Sequence, residues 1–306
     1  MRYIKNFLDF VEIRTKIASV FPFLVGVGYV LYNFASFKPR QTLIFFAAML
    51  LFDMTTTAIN NHIGHRQTGR SPHYSAAVSL AIIAAMLLSA AVLGLYLVSI
   101  SGIVILLVGI FCFAIGITYT FGPLPISRTP FGELFSGLVM GVCIPFIAVQ
   151  INNPIIDISL YNFSRVIIGA EWAELLALGL VVVPLICCIA NIMLANNICD
   201  VEEDLRIKRY TLPVYIGVEK SLRLYGLLYL AAYLFIAIAA IARVVPLFTL
   251  AVLFTCIPVR KNILRLMELQ DKKRSFPTAV LNFLLICVPY AACIWLGSLL
   301  QLLSIN

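Results

Sequence analysis

The chain has 306 residues, of which 62% are hydrophobic and 12% are charged, and it carries a net charge of +8. Soluble domains typically contain about 25% charged residues, so this composition excludes a soluble globular protein and indicates an integral membrane protein. A basic chain can also bind nucleic acid, but the distribution of the charges, described below, argues against that interpretation.

Nine apolar runs follow one another along the chain. A run of about 20 residues can cross the roughly 30 Å hydrocarbon core of a bilayer, and such a run must be helical because lipid offers no partner to an open backbone. The predicted spans are Ile17–Ala35, Thr42–Asn60, Ser75–Val98, Ile100–Thr120, Glu133–Ile151, Ala173–Ala195, Leu222–Ala242, Val244–Pro258 and Thr278–Leu303. We therefore predict an all-α integral membrane protein with nine transmembrane helices, in which residues 1–306 form a single domain.

The lysine and arginine residues lie mainly on one side of these nine spans. If the N-terminus is cytoplasmic, 18 of the 22 fall in cytoplasmic segments. The other four are Lys38, Arg40, Arg165 and Arg243. This positive-inside bias predicts a multi-pass protein of the cell membrane whose N-terminus and motif loops are cytoplasmic. The basicity therefore reflects topology, and no nucleic-acid partner is expected.

The segments outside the spans are short and contain no soluble domain. Asp9 and Glu12, with no small-residue cleavage site after the first span, predict that no signal peptide is removed. Residues 152–172 and 260–276 are interpreted as linkers with amphipathic content.

Some residues within the spans also carry information. Gly137 and Gly141 have the spacing of small residues that let two helices pack closely. Asp53 is an acid within a predicted span and is therefore a functional candidate. The eight cysteines lie mostly in spans and show no paired metal spacing, so neither a disulfide framework nor a zinc site is indicated.

An acidic cluster lies at the end of the sixth predicted span, where four of the 14 acidic residues fall within positions 200–204. On one continuous helix, the oxygen-bearing side chains of this cluster would share an arc of about 100°. These side chains are Asn196, Asp200, Glu203 and Asp204. Converging oxygen ligands favour Mg²⁺ shared with substrate phosphates. Three basic residues that would suit a diphosphate follow: Arg206, Lys208 and Arg209. The alternative is a helix end whose charges are simply solvated.

Two inner loops look like copies of one another. Span two ends in Asn60-Asn61, and span six ends in Asn196-Asn197. A pair of similar motifs four spans apart fits an internal repeat that faces a shared central cavity. Asparagine pairs also cap helices, which is the alternative interpretation.

A third inner loop runs from Tyr119 to Leu134. The three loops together resemble the UbiA-type membrane prenyltransferases, and within them the 1,4-dihydroxy-2-naphthoate polyprenyltransferases of menaquinone synthesis. The resemblance covers nearly the whole chain. It is carried by Asn-Asn-x-x-Asp-x-x-x-Asp at 196–204, by Tyr-Thr-x-Gly-Pro-x-Pro followed by Pro-Phe-Gly-Glu at 119–133, and by Thr-Leu-Pro at 211–213 before Gly217.

The resemblance implies a helical bundle around a central cavity that is open to lipid. Two acidic motifs would hold Mg²⁺ against a polyprenyl diphosphate, whose tail lies between helices. Departure of the diphosphate would leave an allylic carbocation, and the ring of 1,4-dihydroxy-2-naphthoate would attack it through carbon and lose its carboxylate as CO₂. The implied partners are therefore the prenyl diphosphate, the aromatic acceptor and membrane lipid.

Motif positions in the resemblance also imply residue roles. The metal-ligand candidates are Asn60, Asn196, Asp200 and Asp204, and Lys208 joins them as a catalytic candidate. The substrate-binding candidates are Arg14, Asn61, Gly64, Tyr119, Arg128 and Arg209. Tyr119 and Arg128 would recognise the aromatic ring and its carboxylate, although Arg128 stands where the family is expected to carry an aromatic residue.

The chain departs from this family pattern in its first motif, which has Gly64 where an acid is expected and no carboxylate nearby. The three histidines of this loop, His62, His65 and His73, are poor Mg²⁺ ligands and are interpreted as interfacial residues. Three alternatives therefore stay open: a prenyltransferase for another aromatic acceptor, a catalytically impaired protein that binds isoprenoid or quinone, and a transporter.

Overall fold

The computed structural model describes residues 2–34, 36–68, 74–123, 125–161 and 165–305. Within these residues, nine helical segments are long and apolar enough to cross a membrane. They are Ile13–Phe34, Pro39–Gly64, Ala76–Ser101, Ile103–Thr120, Gly132–Asn152, Trp172–Cys199, Val218–Ile241, Leu247–Glu268 and Phe276–Ser304. The predicted class of protein and the predicted number of spans are both confirmed.

The helices and strands follow one another in a simple order. The α-helices are α1 (Arg2–Phe10), α2 (Ile17–Phe34), α3 (Pro39–Thr68), α4 (Ala76–Ser101), α5 (Ile103–Thr120), α6 (Gly132–Leu138), α7 (Ile144–Asn152), α8 (Trp172–Cys199), α9 (Val201–Arg206), α10 (Leu212–Ile216), α11 (Val218–Ile241), α12 (Cys256–Glu268) and α13 (Phe276–Ile305). A π-helical turn at Val139–Cys143 joins α6 to α7, and 3₁₀ helices occupy Ile13–Lys16, Ile126–Arg128 and Leu247–Thr255. Strands β1 (Ile156–Tyr161) and β2 (Arg165–Ala170) form one antiparallel hairpin.

Two segments interpreted as linkers contain regular structure. Residues 152–172 include the β1–β2 hairpin, in which Ile158 lies opposite Ile168. In the segment 260–276, α12 continues to Glu268 before the chain turns. Their interpretation as irregular linkers was wrong. Hydropathy detects only long apolar runs, and it therefore missed a hairpin and a helix end whose backbone groups still form regular hydrogen bonds.

Helix α1 was not predicted, since it precedes the first apolar run. It is an amphipathic helix whose last turn buries Phe10, and Val11 directly after it is buried as well. These two side chains pack with Ala58 of α3 and Ile83 of α4. The N-terminal segment is therefore anchored on the second and third spans.

The largest hydrophobic core is centred on α8, which packs against α11, α13 and α6. Close packing of α6 and of the π-helical turn after it against α8 depends on glycine. A Cβ atom at Gly141 would lie 2.8 Å from the backbone nitrogen of Ile186, and one at Gly137 would lie 3.2 Å from the backbone oxygen of the same residue. The close helix contact predicted from this glycine pair is thus present, with α8 as the partner.

Candidate active site

The acidic cluster lies at a break between two helices. Helix α8 ends at Cys199, Asp200 has φ −105° and ψ 5°, and α9 starts at Val201. The expectation of a single continuous helix was therefore wrong. As a consequence, the side chains of the cluster do not share one environment: Glu203 is exposed and Asp204 is buried.

Asn196 and Asp200 converge on one cation, the ammonium group of Lys272. The Asn196 side-chain amide donates to Asp200 Oδ2 over 3.2 Å. Lys272 Nζ donates to Asn196 Oδ1 over 2.5 Å and also pairs with Asp200 Oδ2. Lys272 lies in the turn between α12 and α13, so two segments that are distant in sequence meet here. Sequence reasoning missed Lys272, since it was counted only among the cytoplasmic positive charges.

Asp204 points into a different set of contacts. Its side chain is only 2% exposed, and its two oxygens accept hydrogen bonds from Thr211 Oγ1 at 3.0 Å and from Arg209 Nη1 at 3.3 Å. Burial raises the pKa of the Asp204 carboxyl above its ordinary value, while Arg209 and Thr211 oppose that shift. Lys208, beside this group, is exposed and adopts a left-handed backbone with φ 54°.

Arg209 connects the motif at 196–204 to the loop after α5 through hydrogen bonds to both. Its Nε donates to the carbonyl oxygen of Ser127 over 2.8 Å, and its Nη2 donates to Asn197 Oδ1 over 3.3 Å. Nearby, the backbone amide of Tyr210 donates to the carbonyl oxygen of Arg128 over 3.1 Å. Two of the three predicted motif loops are therefore brought together, and the guanidinium of Arg209 is engaged by protein groups. The side chain of Arg128 is half-buried.

Glu133 and Tyr119 face this junction from the other side. Asn197 Nδ2 donates to Glu133 Oε1 over 2.8 Å. Within the part of the chain that the structure describes, Glu133 Oε2 and the Tyr119 hydroxyl are buried without a hydrogen-bond partner. The hydroxyl lies 3.5 Å from where a Cβ would stand on Gly132, next to Glu133 in the chain. Glu133 was quoted in the motif but was not recognised as a site residue, because its partner Asn197 lies 64 residues away.

The first motif lies within α3, which continues eight residues beyond Asn60 to Thr68. Asn60 is exposed, and Asn61 donates to the carbonyl oxygen of Phe10 over 2.9 Å. Among the described residues, and apart from its own helix backbone, no atom lies within 4 Å of a Cβ built on Gly64, so this part of the structure leaves open space there. His62 is half-buried, whereas the side chain of His65 and the whole of His73 lie outside the described residues.

Asp53 of α3 is buried against the start of the first span, whereas Arg14, just before that span, is exposed. Lys16 Nζ donates to Asp53 Oδ1 over 2.7 Å, and Ser19 Oγ donates to Asp53 Oδ2 over 2.6 Å. Lys16 also donates to Thr57 Oγ1 over 2.6 Å. Both carboxylate oxygens of Asp53 are thereby satisfied. Arg14 is exposed on the 3₁₀ helix before α2.

A magnesium ion would find part of a coordination shell at Asn196 and Asp200. Both side chains present hard oxygen atoms to one point, which is already occupied by a cationic group. Magnesium usually keeps several waters and binds one or two carboxylates together with substrate phosphates, so these two donors fit it. Among the described residues, no group of three or more histidine, cysteine, aspartate and glutamate side chains is placed to hold a metal.

This arrangement, with a polar site at one end of the helices of a membrane bundle, agrees with the comparisons. The model of the UbiA prenyltransferase family matches residues 19–301. The chain belongs to the UbiA prenyltransferase family, which confirms the resemblance drawn from its motifs.

A relative of known activity agrees with this family assignment. The chain is 34% identical over 147 residues to 1,4-dihydroxy-2-naphthoate octaprenyltransferase of Bacillus subtilis (strain 168). That match covers 48% of this chain and 42% of the relative, so the chain matches less than half of the relative's length.

Solved structures share the fold. Digeranylgeranylglyceryl phosphate synthase superposes with a TM-score of 0.65 at 14% identity, over 97% of this chain and 99% of the other. A UbiA homolog from Archaeoglobus fulgidus bound to DMAPP and Mg²⁺ superposes with a TM-score of 0.61 at 11% identity, over 95% and 99% of the two chains. At these identities the likeness supports the nine-helix architecture.

Proposed function

We propose that the protein transfers a polyprenyl group from a prenyl diphosphate to 1,4-dihydroxy-2-naphthoate, with Mg²⁺ as cofactor. The observation that carries this proposal is the convergence of Asn196 and Asp200 oxygens on one cation at the end of α8. Such a donor pair is what a metal-bound diphosphate requires. The match to a naphthoate octaprenyltransferase supports the choice of acceptor.

The diphosphate would bind at the break between α8 and α9. Asn196 and Asp200 would hold magnesium there, with Asp204 and Asn60 as further proposed ligands. Bound magnesium supplies positive charge that stabilises a departing diphosphate. Lys208 is exposed and lies four residues after Asp204 in the chain, and its ammonium group would turn toward the same anion. Arg14 and Gly64 are proposed to line the opposite wall, and Gly64 leaves that wall open.

The acceptor would bind at the loop after α5. A naphthoate hydroxyl placed between Tyr119 and Glu133 would accept a hydrogen bond from the Tyr119 hydroxyl and donate one to Glu133 Oε2, satisfying two atoms that lack partners within the described residues. Arg128 would pair with the ring carboxylate. Asn61 and Arg209 would act mainly by holding α1 and the loop in place, as their observed contacts indicate.

The bonds broken and formed in the proposed reaction involve only the prenyl diphosphate and the aromatic acceptor. The bond between the allylic carbon and the diphosphate oxygen breaks, and the diphosphate leaves with the electron pair. A ring carbon of the acceptor forms the new carbon–carbon bond, and that carbon then loses its carboxylate as CO₂. Glu133 would hold the acceptor hydroxyl so that its oxygen enriches the ring in electron density during the attack.

The prenyl tail would lie along α5. An open apolar groove of about 310 Å³ is lined by Leu107, Val108, Phe111, Val142, Cys143 and Phe146. Phe111 precedes Tyr119 by eight residues, which corresponds to about 12 Å along a helix at 1.5 Å per residue. A tail that starts beside Tyr119 would therefore reach the groove and continue into lipid.

The decisive experiment is product formation by the purified protein with Mg²⁺, a defined prenyl diphosphate and a panel of aromatic acids. Prenylated naphthoate product and released CO₂ in stoichiometric amounts support the proposal, with Asp200→Asn as the inactive control. Product with a different aromatic acid alone would keep the enzyme class and reject the acceptor.

A second candidate function is a catalytically impaired protein that binds isoprenoid or quinone. It is favoured by Gly64, which leaves the first motif without its expected acid. Tight prenyl diphosphate binding without turnover on any acceptor would support it. A transporter is less well supported because a transporter places its polar site near the middle of the membrane, whereas Asp200 and Asp204 follow the end of the Trp172–Cys199 span.

The protein is a multi-pass membrane protein, and we propose that its motif loops face the cytoplasm. The excess of lysine and arginine on that side of the spans supports this orientation. Labelling of cysteines introduced at Lys38 and Lys273 with a membrane-impermeant reagent in intact cells tests it, since only the first is expected to react.

A further inference from the structure

We infer that Lys272 is a tethered cation. Before substrate binds, its ammonium group occupies the Asn196–Asp200 oxygen pair, and after substrate binds the same group pairs with the diphosphate. The inference deepens the proposed function and rests on it for the identity of the ligand. Lys272 belongs to none of the motifs that carry the family resemblance, and its position in the structure assigns it this role.

The contacts of Lys272 place its ammonium group where a metal ion would be bound. Nζ lies 2.5 Å from Asn196 Oδ1 and pairs with Asp200 Oδ2. The Asn196 side-chain amide donates to that same carboxylate oxygen, so the amide oxygen is turned toward the cation. Two hard oxygen atoms thus share one positive charge that the protein itself supplies.

The turn that carries Lys272 is well fixed. Asp271 Oδ1 accepts hydrogen bonds from the backbone amides of Lys273, at 2.9 Å, and Arg274, at 2.7 Å. The carbonyl oxygen of Asp271 accepts from the amide of Ser275 at 2.9 Å. The backbone therefore holds the Cα of Lys272 in one place beside α8.

The side chain of Lys272 is nevertheless able to move. It is 46% exposed, whereas the side chain of Asp200 is 14% exposed. Lysine carries a compact charge on a flexible four-carbon stem, so its ammonium can leave the oxygen pair by side-chain rotation alone. The Phe276 ring, whose centroid is 5.4 Å from Nζ, gives the charge a second favourable neighbour.

Competition follows directly from this geometry. A divalent ion bound by Asn196 Oδ1 and Asp200 Oδ2 needs the space and the lone pairs that Lys272 uses, so the two cations exclude one another. A diphosphate brought in with the metal carries several negative charges, and the displaced ammonium lies next to it. Lys272 should therefore oppose metal binding in the free protein and support diphosphate binding in the complex.

The test compares Lys272→Gln with Lys273→Gln, which removes the same charge from the same turn at an exposed position. Binding of Mn²⁺ alone is measured by electron paramagnetic resonance on purified protein, and binding of geranyl diphosphate is measured calorimetrically with saturating Mg²⁺. Lys272→Gln should bind Mn²⁺ about two- to fivefold more tightly, the range for a partly exposed ion pair. It should bind geranyl diphosphate about tenfold more weakly, because a charge-assisted hydrogen bond is lost.

The opposite signs of the two changes are the signature of the tethered cation. Lys273→Gln should leave both affinities within about twofold of the parent, and Lys272→Arg should preserve most of the diphosphate affinity because it keeps the charge. An unfolding midpoint equal to that of the parent shows that each variant is folded.

Several results would overturn the inference. They are equal changes in Lys273→Gln, changes of the same sign in both affinities of Lys272→Gln, no change in either affinity, or no Mn²⁺ binding by any variant before diphosphate is added. Naphthoate prenylation is assayed separately. Opposite changes in affinity without naphthoate product leave the inference standing and reject the proposed function, whereas product without the opposite changes rejects the inference alone.

Discussion

Lys16 and Asp53 neutralise one another inside the protein, 2.7 Å apart and almost completely shielded from solvent. The pair joins the start of the first span to the middle of α3, and Ser19 and Thr57 complete its hydrogen bonds. Asp53 is thus fully engaged in holding two helices together. These contacts account for the buried acid as one half of a structural ion pair, whereas its position within a span had made it a functional candidate.

Removal of one member of this pair should destabilise the protein strongly. Lys16→Met leaves the buried Asp53 carboxylate without its counter-ion, and such a change costs about 3–5 kcal/mol. The double variant Lys16→Met with Asp53→Leu should lose less, because no charge is then left unpaired. The measurement is unfolding of the purified protein in mixed micelles with increasing denaturing detergent.

The exposed pair Glu219–Arg223 on α11 provides the control, since its side chains are 80% and 73% exposed. Glu219→Gln should change the free energy of unfolding by no more than about 0.5 kcal/mol. A double variant that is less stable than Lys16→Met would contradict the ion-pair explanation.

Glycine packing gives a second prediction about stability. Gly141→Ala would place a Cβ 2.8 Å from the backbone of Ile186, so the π-helical turn and α8 must move apart, and overpacking of this kind costs about 1–3 kcal/mol. Gly94→Ala in α4 is the matched control, because no atom of the described residues outside its own helix backbone lies within 4 Å of its Cβ position. We expect the control to be neutral or slightly stabilising in the same unfolding assay. Equal effects of the two changes would show that the close helix contact does not matter for stability.

The spans could be predicted from sequence because a lipid bilayer restricts both the composition and the backbone conformation of a segment that crosses it. Each span must be an apolar run of fixed minimum length, and the backbone has no alternative to a helix. The hairpin at Ile156–Tyr161 and Arg165–Ala170 was missed because its strands lie between spans, where that rule does not apply. The amphipathic α1 was missed for the same reason.

The candidate site could be predicted only in part. Asp200 and Asp204 were recognised from one continuous motif, but the partner of each depends on how distant loops meet. Lys272 lies 72 residues from Asp200, and Glu133 lies 64 residues from Asn197. Hydropathy and motif spacing carry no information about such distances, so these partners became visible only in the structure.

The two aspartates should respond differently to substitution. In Asp200→Asn, Mg²⁺-dependent binding of geranyl diphosphate should be abolished, whereas the free energy of unfolding should change by less than about 1 kcal/mol because its pair with Lys272 is partly exposed. In Asp204→Asn, binding should also be lost, and stability should fall by about 1–3 kcal/mol because Arg209 loses its charged acceptor in a buried site. Calorimetric titration and detergent unfolding measure the two effects. Intact diphosphate binding by Asp200→Asn would show that the metal pair has been misplaced.

Substitution of Arg128 should change the KM of one substrate only. If its guanidinium pairs with the carboxylate of the acceptor, Arg128→Ala should raise the acceptor KM much more than the donor KM, since a charge-assisted contact is lost on one side of the reaction. Steady-state kinetics with each substrate varied in turn measure this difference. Arg260→Ala, at an exposed arginine of α12, serves as the control and should alter neither constant. Equal increases in both constants for Arg128→Ala would contradict the assignment.

Gly64 gives the last prediction, because it stands where the family pattern expects an acid and where the Asn-Asn repeat places the counterpart of Asp200. The structure shows α3 continuing through Gly64 to Thr68, with open space around its Cβ position. Within the described residues nothing blocks a side chain there, so none of them gives a steric reason for the glycine. Glycine in a helix interior costs about 1 kcal/mol relative to alanine, so helix propensity does not favour it either.

Gly64→Asp should accordingly add a carboxylate to the first motif, tighten the apparent binding of Mg²⁺ and raise the rate of product formation above that of the present sequence. Gly64→Ala is the matched control: it should stabilise α3 by up to about 1 kcal/mol while leaving Mg²⁺ affinity and turnover unchanged. Initial rates measured over a range of Mg²⁺ concentrations separate the two variants, because only an added ligand shifts the concentration for half-maximal rate. If Gly64→Asp behaves like Gly64→Ala, the first loop is not a metal site that has lost its acid, and the impaired isoprenoid-binding function becomes the better account of this chain.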